Sequence, residues 1–141
     1  MAKTIAEQSS ELRMAVFRLA RRLRAQKADQ ALSDAQFAVL GELYRHGTQT
    51  LTGLAEREKV SAPSMNRTVN CLEESGYVTR AADEVDRRKT NISLSEEGRA
   101  IVKATVSKRD AWLTDRLREL SKEERAALAR AVELIGGLAT Q

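Results

Sequence analysis

Between Thr50 and Gly98 the period of the apolar residues changes from helical to alternating. Leu54 and Ala55, with Val60 as a further candidate, form the inward side of a first short helix that Thr52 would cap. Met65, Val69 and Leu72 follow i, i+4, i+7 and form the inward side of a second helix, with Ser61 at its cap. Gly76 can take the left-handed conformation that ends a helix, so Tyr77-Val78-Thr79-Arg80 begins a strand, and Thr90-Asn91-Ile92-Ser93-Leu94 reads as its partner.

On either side of this segment the pattern is helical. Leu12, Val16, Leu19 and Leu23 predict an amphipathic helix over about 5–26. Ser33-Asp34-Ala35-Gln36 is a capping box opening a helix with Phe37, Leu40, Leu43 and Tyr44 inside, and Arg45-His46-Gly47 closes it. Ser95 caps a long helix reaching Leu120; Ser121-Lys122-Glu123-Glu124 is a second capping box before a last helix with Leu128, Val132, Ile135 and Leu138 inward. The expected fold class is therefore mainly α with a small β-hairpin wing, a winged helix-turn-helix over about 33–98 flanked by long helices over about 5–26 and 95–139. The chain carries no repeat, no low-complexity stretch and a single proline, so 1–141 reads as one domain.

The second short helix turns Pro63, Ser64, Asn66, Arg67 and Asn70 away from its apolar side. Hydroxyls, amides and a guanidinium on one face suit base edges and phosphates. Ser61, Ala62, Pro63 and Ser64 form the start of that helix, where N–H groups and hydroxyls can hold a phosphate. Arg67 can take guanine O6 and N7 together, and Asn66 and Asn70 can address adenine or phosphate. The hairpin loop carries Asp86-Arg87-Arg88-Lys89, a charged projection beside this face, with Asp86 better placed to orient an arginine than to meet phosphates. Double-stranded DNA is the expected partner.

Three pieces together resemble the MarR family of bacterial transcription regulators: Leu72-Glu73-Glu74-Ser75-Gly76-Tyr77-Val78, then Asp83 followed by Asp86-Arg87-Arg88, then Leu94-Ser95-Glu96-Glu97-Gly98. The resemblance extends over nearly the whole chain. It implies a homodimeric winged-helix repressor or activator, often released from DNA by a small phenolic ligand or by oxidation. It also implies that Arg88 enters the minor groove, with Arg87 as runner-up, and that a ligand crevice lies where the first helix, the Phe37 helix and the Trp112 helix meet. Arg13, Phe17, Phe37, Tyr44 and Trp112 are the candidates to line it.

A winged-helix module alone cannot cover the apolar stripes of the terminal helices, but a second subunit can. Leu12, Leu19, Leu113, Leu117, Leu128, Val132, Ile135 and Leu138 are thus candidates for a dimer interface. A two-fold axis then asks for half-sites about 34 Å apart, hence a pseudo-palindromic operator.

Composition narrows the alternatives. Net charge is +4, which favours an anionic partner without requiring one, and no apolar run approaches the roughly twenty residues that span a bilayer. The first residues lack the apolar core of a secretion signal, so a cytoplasmic location and no membrane partner are expected. One histidine and one cysteine are too few for a zinc site; neither catalysis, a metal nor a cofactor is expected, and His46 reads as a helix-end residue. Cys71 reads as a small filler near the edge of the buried face. The family's oxidant sensors carry their reactive cysteine in the first helices, where this chain has none. Two alternatives stay open: a winged-helix module for protein or RNA contacts, and a thiol-based redox regulator acting through Cys71.

Overall fold

Side-chain caps set most of the element boundaries. In the computed structural model, which describes residues 1–141, Thr4 caps α1 (Ile5–Arg24): its hydroxyl accepts from the Glu7 N–H, and Glu7 reaches back to the Thr4 N–H. Ser33 and Gln36 form the same reciprocal pair at the head of α2 (Asp34–His46), which Gly47 ends at φ 79°. A two-residue strand β1 (Gln49–Thr50) leads directly into α3 (Leu51–Glu58). Then follow α4 (Ala62–Glu74), capped by Ser61, and the hairpin of β2 (Val78–Ala82) and β3 (Thr90–Leu94). Ser95 caps α5 (Glu96–Arg118), and the Ser121–Glu124 capping box opens α6 (Lys122–Ala139).

Several expectations shift. Thr50, not Thr52, caps α3, its hydroxyl accepting from the Gly53 N–H at 3.0 Å, because β1 places Thr50 at the extended backbone position a cap requires. The sheet has three strands in the order β1-β3-β2, all antiparallel, since Gln49 and Thr50 pair with Ile92 and Asn91. The first and fifth helices stop at Arg24 and Arg118, short of Gln26 and Leu120. Val60 and Tyr44 are exposed: Val60 lies beyond the end of α3, and Tyr44 is one residue further around α2 from buried Leu43, at the edge of the inward face.

The core forms where α2, α3 and α4 meet the sheet and the first turns of α5. Leu40, Leu43, Leu54, Met65, Val69, Leu72, Val78, Ile92 and Val102 are all buried there in one cluster. Burying a side chain of this size stabilises by about 1.5–3 kcal/mol, so this cluster holds the winged helix together as a unit. The terminal helices are different: α1 and α6 bury no residue at all. Leu12, Leu19, Leu128, Val132, Ile135 and Leu138 are exposed, and Leu113 and Leu117 on α5 are half-buried. No helix is long and apolar enough to cross a membrane.

Candidate nucleic-acid interface

The orientation of α4 follows from its own sequence. Met65, Val69 and Leu72 are buried, so the other side of the helix must face outward, and Ala62, Pro63, Asn66, Arg67 and Asn70 are exposed on it. At the head of the helix the Ser61 hydroxyl accepts from the Ser64 N–H at 3.2 Å, and Pro63 occupies the first turn, where its missing N–H costs nothing. The N–H groups of this first turn point outward with the positive end of the helix dipole, an arrangement that accepts a phosphate.

The oxygens of Asn66 and Asn70 are not free. Arg80, on β2, donates from Nη1 to Asn66 Oδ1 at 3.0 Å and from Nη2 to the Asn66 carbonyl oxygen and Asn70 Oδ1. Its Nε lies 3.6 Å from Glu73 Oε1. Arg80 thus grips one side of α4 along its length. Sequence reasoning passed over it, although the signal was present: Arg80 occupies the same alternate of the strand as buried Val78, an inward position where a cation must find acceptors.

The hairpin loop is built on Asp83, another residue to which the sequence pattern assigns no role. Its Oδ2 accepts from the N–H groups of Val85 and Asp86 at 3.1 and 2.9 Å, and its Oδ1 from Asn91 Nδ2 at 3.0 Å. These donors, the Asp86 N–H foremost, hold the Asp83 carboxyl below the usual carboxylate range. Asp86 then repeats the device toward the tip. Its Oδ1 accepts from the Arg88 N–H at 3.1 Å and from Arg88 Nε at 3.0 Å, and its Oδ2 from Arg88 Nη2 at 3.1 Å. The Arg88 guanidinium holds the Asp86 carboxyl down, and Asp86 in turn holds the Arg88 guanidinium up. Arg88 is therefore aimed although its side chain is 90% exposed, while Arg87 and Lys89 stand exposed beside it. Arg88 and Lys89 also share a hollow of about 330 Å³ with Thr50, Thr52 and Gly53 at the head of α3, bringing a second helix start to the root of the wing.

The five candidate crevice residues are spread over several places. Phe17 lines a cleft of about 540 Å³ with Arg21, Arg24, Ala25, Lys27 and Asp34. Phe37 lines a smaller neighbour of about 210 Å³ that shares Arg24 and Asp34 and adds Arg45 and Arg109. Arg109 stacks on the Phe37 ring at 4.6 Å, and burial pulls its guanidinium below the ordinary arginine range. Tyr44 lines a separate hollow with Val102, Lys103, Val106 and Ser107. Trp112 is covered by Arg116 at 3.6 Å and Arg22 at 5.3 Å, and Arg13 is exposed; neither lines these clefts. Cys71 is an exposed free thiol on α4, not a filler at the core edge, because Met65, Val69 and Leu72 already occupy the buried side.

A recognition helix with a polar outer face, a second helix packed before it and a basic hairpin after it define a winged helix-turn-helix DNA-binding protein. Residues 32–90 match the model of the MarR family. The chain is 38% identical to an HTH-type transcriptional regulator of Mycobacterium bovis, over 96% of this chain and 94% of that protein. A putative transcriptional regulator of Pseudomonas aeruginosa superposes with a TM-score of 0.89 at 32% identity, covering 99% of both chains. A mutant of MepR from Staphylococcus aureus, bound to an oligodeoxyribonucleotide, shares the fold with a TM-score of 0.73 at 24% identity, over 93% of this chain and 97% of that one. This chain belongs to the MarR family of transcription regulators.

Proposed function

We propose that the chain acts in the cytoplasm as a homodimeric repressor that binds a pseudo-palindromic operator and is released from it by a small aromatic ligand. The observation that carries this reading is the division of the surface. A polar recognition face and an aimed wing arginine lie on the winged helix, while α1 and α6 leave Leu12, Leu19, Leu128, Val132, Ile135 and Leu138 uncovered. Those apolar residues, with Leu113 and Leu117, are the proposed dimer interface; burying several of them would stabilise the assembly by on the order of 10 kcal/mol before association costs. Two linked half-sites then combine their free energies, which lets specific binding outcompete nonspecific DNA. On each half-site Ser61, Ala62, Pro63 and Ser64 hold phosphate, Arg67, Asn66 and Asn70 meet base edges, and Arg88, with Arg87 and Lys89 near it, enters the minor groove. Occupying the operator excludes competing proteins, which is the sense in which the regulator represses.

The test is selection of bound sequences from a random duplex library together with sedimentation velocity. A dimer and an inverted repeat are the expected results, and truncation after Ser121 should abolish both. A stable monomer that still binds one sequence specifically would overturn the reading.

A further inference from the structure

The side chains of Asn66 and Asn70 each have one acceptor and one donor end, and the structure commits the acceptor end of both to the same guanidinium. A guanidinium offers only N–H groups, so nothing but the oxygen of each amide can face Arg80. Both asparagines are exposed, and their amide nitrogens are what remains to meet DNA. Reading adenine through an asparagine requires both ends at once: the oxygen accepts from N6–H while the nitrogen donates to N7. Each oxygen keeps a second lone pair, but with the first held on Arg80 the amide is turned with its nitrogen leading toward the DNA, which works against that two-ended fit. An amide that leads with its nitrogen pairs best with guanine, whose O6 and N7 both accept, whereas adenine offers N7 alone beside the N6–H2 donor; thymine O4 and phosphate oxygens also accept.

We propose that Arg80 is a specificity-determining positioning residue: by holding Oδ1 of Asn66 and Asn70, it turns both amides nitrogen-first, so that the α4 face leads with hydrogen-bond donors and favours guanine, with two acceptors, over adenine, with one, at the positions those residues read. Arg67, adjacent on the helix, is itself donor-only and reinforces the preference. Arg80 touches no base. The proposal rests on the reading of α4 as the DNA-reading helix, and its two parts can be tested apart.

The clamp itself is measured without DNA. In the free full-length protein, ¹⁵N relaxation of the Asn66 and Asn70 side-chain amides should give order parameters near those of rigid backbone, about 0.85, and Arg80→Met should drop them below about 0.6. Mobile amides in the wild type would overturn the proposal. Its consequence is measured by selection from a random duplex library with wild type, Arg80→Met, Arg80→Lys, Asn66→Ala and Asn70→Ala. The alanine variants mark the positions that each asparagine reads. At those positions wild type should enrich guanine over adenine, and Arg80→Met should raise adenine relative to guanine by about tenfold, the size of one good bidentate base contact. Arg80→Lys, whose ammonium lacks the planar fork that spans both oxygens, should fall between them. A uniform loss of affinity in Arg80→Met with unchanged base preference would show a merely structural role and overturn the inference. Unchanged selection by Asn66→Ala and Asn70→Ala would overturn the reading of α4 and the inference with it, even where the amides prove rigid.

Discussion

The Tyr77 hydroxyl donates to Asp29 Oδ2 at 2.6 Å, tying the residue just beyond the recognition helix to the loop between α1 and α2. That loop is held from its other side by α5: Thr105 Oγ1 accepts from the Ala28 N–H at 3.3 Å, Lys108 Nζ donates to the Lys27 carbonyl at 2.9 Å and Arg109 Nε to that of Gln26 at 3.2 Å. Lys27 also lines the Phe17 cleft, so the cleft and the end of α4 are joined through one short segment.

Removing the hydroxyl with Tyr77→Phe should cost roughly 1 kcal/mol of stability, because it deletes one charge-assisted hydrogen bond at a partly exposed site. The pH dependence has a definite sign. The Asp29 carboxylate pushes the Tyr77 phenol from 10.0 up to about 12, so its contribution is complete below pH 10 and disappears as the pH rises from there toward 12. Asp29 is held below its ordinary 3.8 by the Tyr77 hydroxyl first and the Ala31 N–H second, so its contribution is present above that value and fades as acid protonates it. Denaturant titrations of wild type and Tyr77→Phe should therefore differ most between pH 5 and 9 and converge near 12; a difference that grows with alkali would refute the assignment.

Gly98→Ala should be far more damaging than a helix-interior glycine would suggest. A Cβ there would sit 2.1 Å from the Tyr77 carbonyl oxygen and 2.7 Å from Leu94 Cδ1, and the backbone atom has no room to retreat. The same carbonyl accepts from the Ser95 N–H at 3.0 Å, and the Ser95 hydroxyl donates to the Gly76 carbonyl at 2.6 Å, so the start of α5 is stitched to the end of α4. Overpacking against fixed backbone should cost about 3 kcal/mol, lowering Tm by roughly 10 °C. Gly41→Ala is the opposing control. It meets only the flexible tip of Arg45 at 3.3 Å and gains helix propensity, so it should leave stability unchanged or raise it by up to about 1 kcal/mol.

Asp86→Ala separates aiming from charge in the wing. If Asp86 served only as a negative charge near phosphates, removing it would tighten binding; because it holds Arg88 by two side-chain bonds, we expect operator affinity to fall by roughly threefold to tenfold. Arg88→Ala should cost more, and Arg87→Ala less than Arg88→Ala. Across a salt titration, a variant that no longer neutralises one phosphate per subunit should show a log-log slope flatter by about one unit for that phosphate. Equal small effects of the two arginines would sink the distinction between them.

How far these features were legible in the chain depends on how local their causes are. The Ser33–Gln36 and Ser121–Glu124 boxes and the Met65, Val69, Leu72 stripe act within a few residues, and the spacing alone locates them. Thr50 and Thr52 are equally good caps by type, and only the pairing of Gln49 and Thr50 with β3 decides between them. Gly98 stands in a motif shared with the family, but its reason is the carbonyl of Tyr77, just ahead of β2, which no periodicity reveals. The same holds for the Arg80 grip on Asn66 and Asn70: the strand pattern places a cation inward, and only the docking of β2 against α4 names its acceptors. For the aromatic candidates, helical spacing could not tell the ring of Phe17, open to a cleft, from that of Trp112, covered by two arginines.

The Phe17 cleft should prefer an aromatic anion to an aromatic cation or neutral. Arg21, Arg24 and Lys27 line it against the single carboxylate of Asp34, which already lies 3.4 Å from Lys27 Nζ, so the remaining guanidiniums lack a counter-ion within the cleft. A ring placed against Phe17 would bring a carboxylate within reach of Arg24, which with Asp34 is common to this cleft and the Phe37 hollow. Benzoate titrated into the protein should shift the NMR signals of Phe17 and Arg24, benzylamine and benzamide should bind at least about tenfold more weakly, and Arg24→Ala should erase most of that difference. Because Lys27 connects this cleft to Asp29 and Tyr77, benzoate should also weaken operator binding in wild type, and less so in Tyr77→Phe. Equal binding of the three compounds would remove the electrostatic basis for this ligand class; binding of benzoate with no change in operator affinity would break the link between cleft and recognition helix.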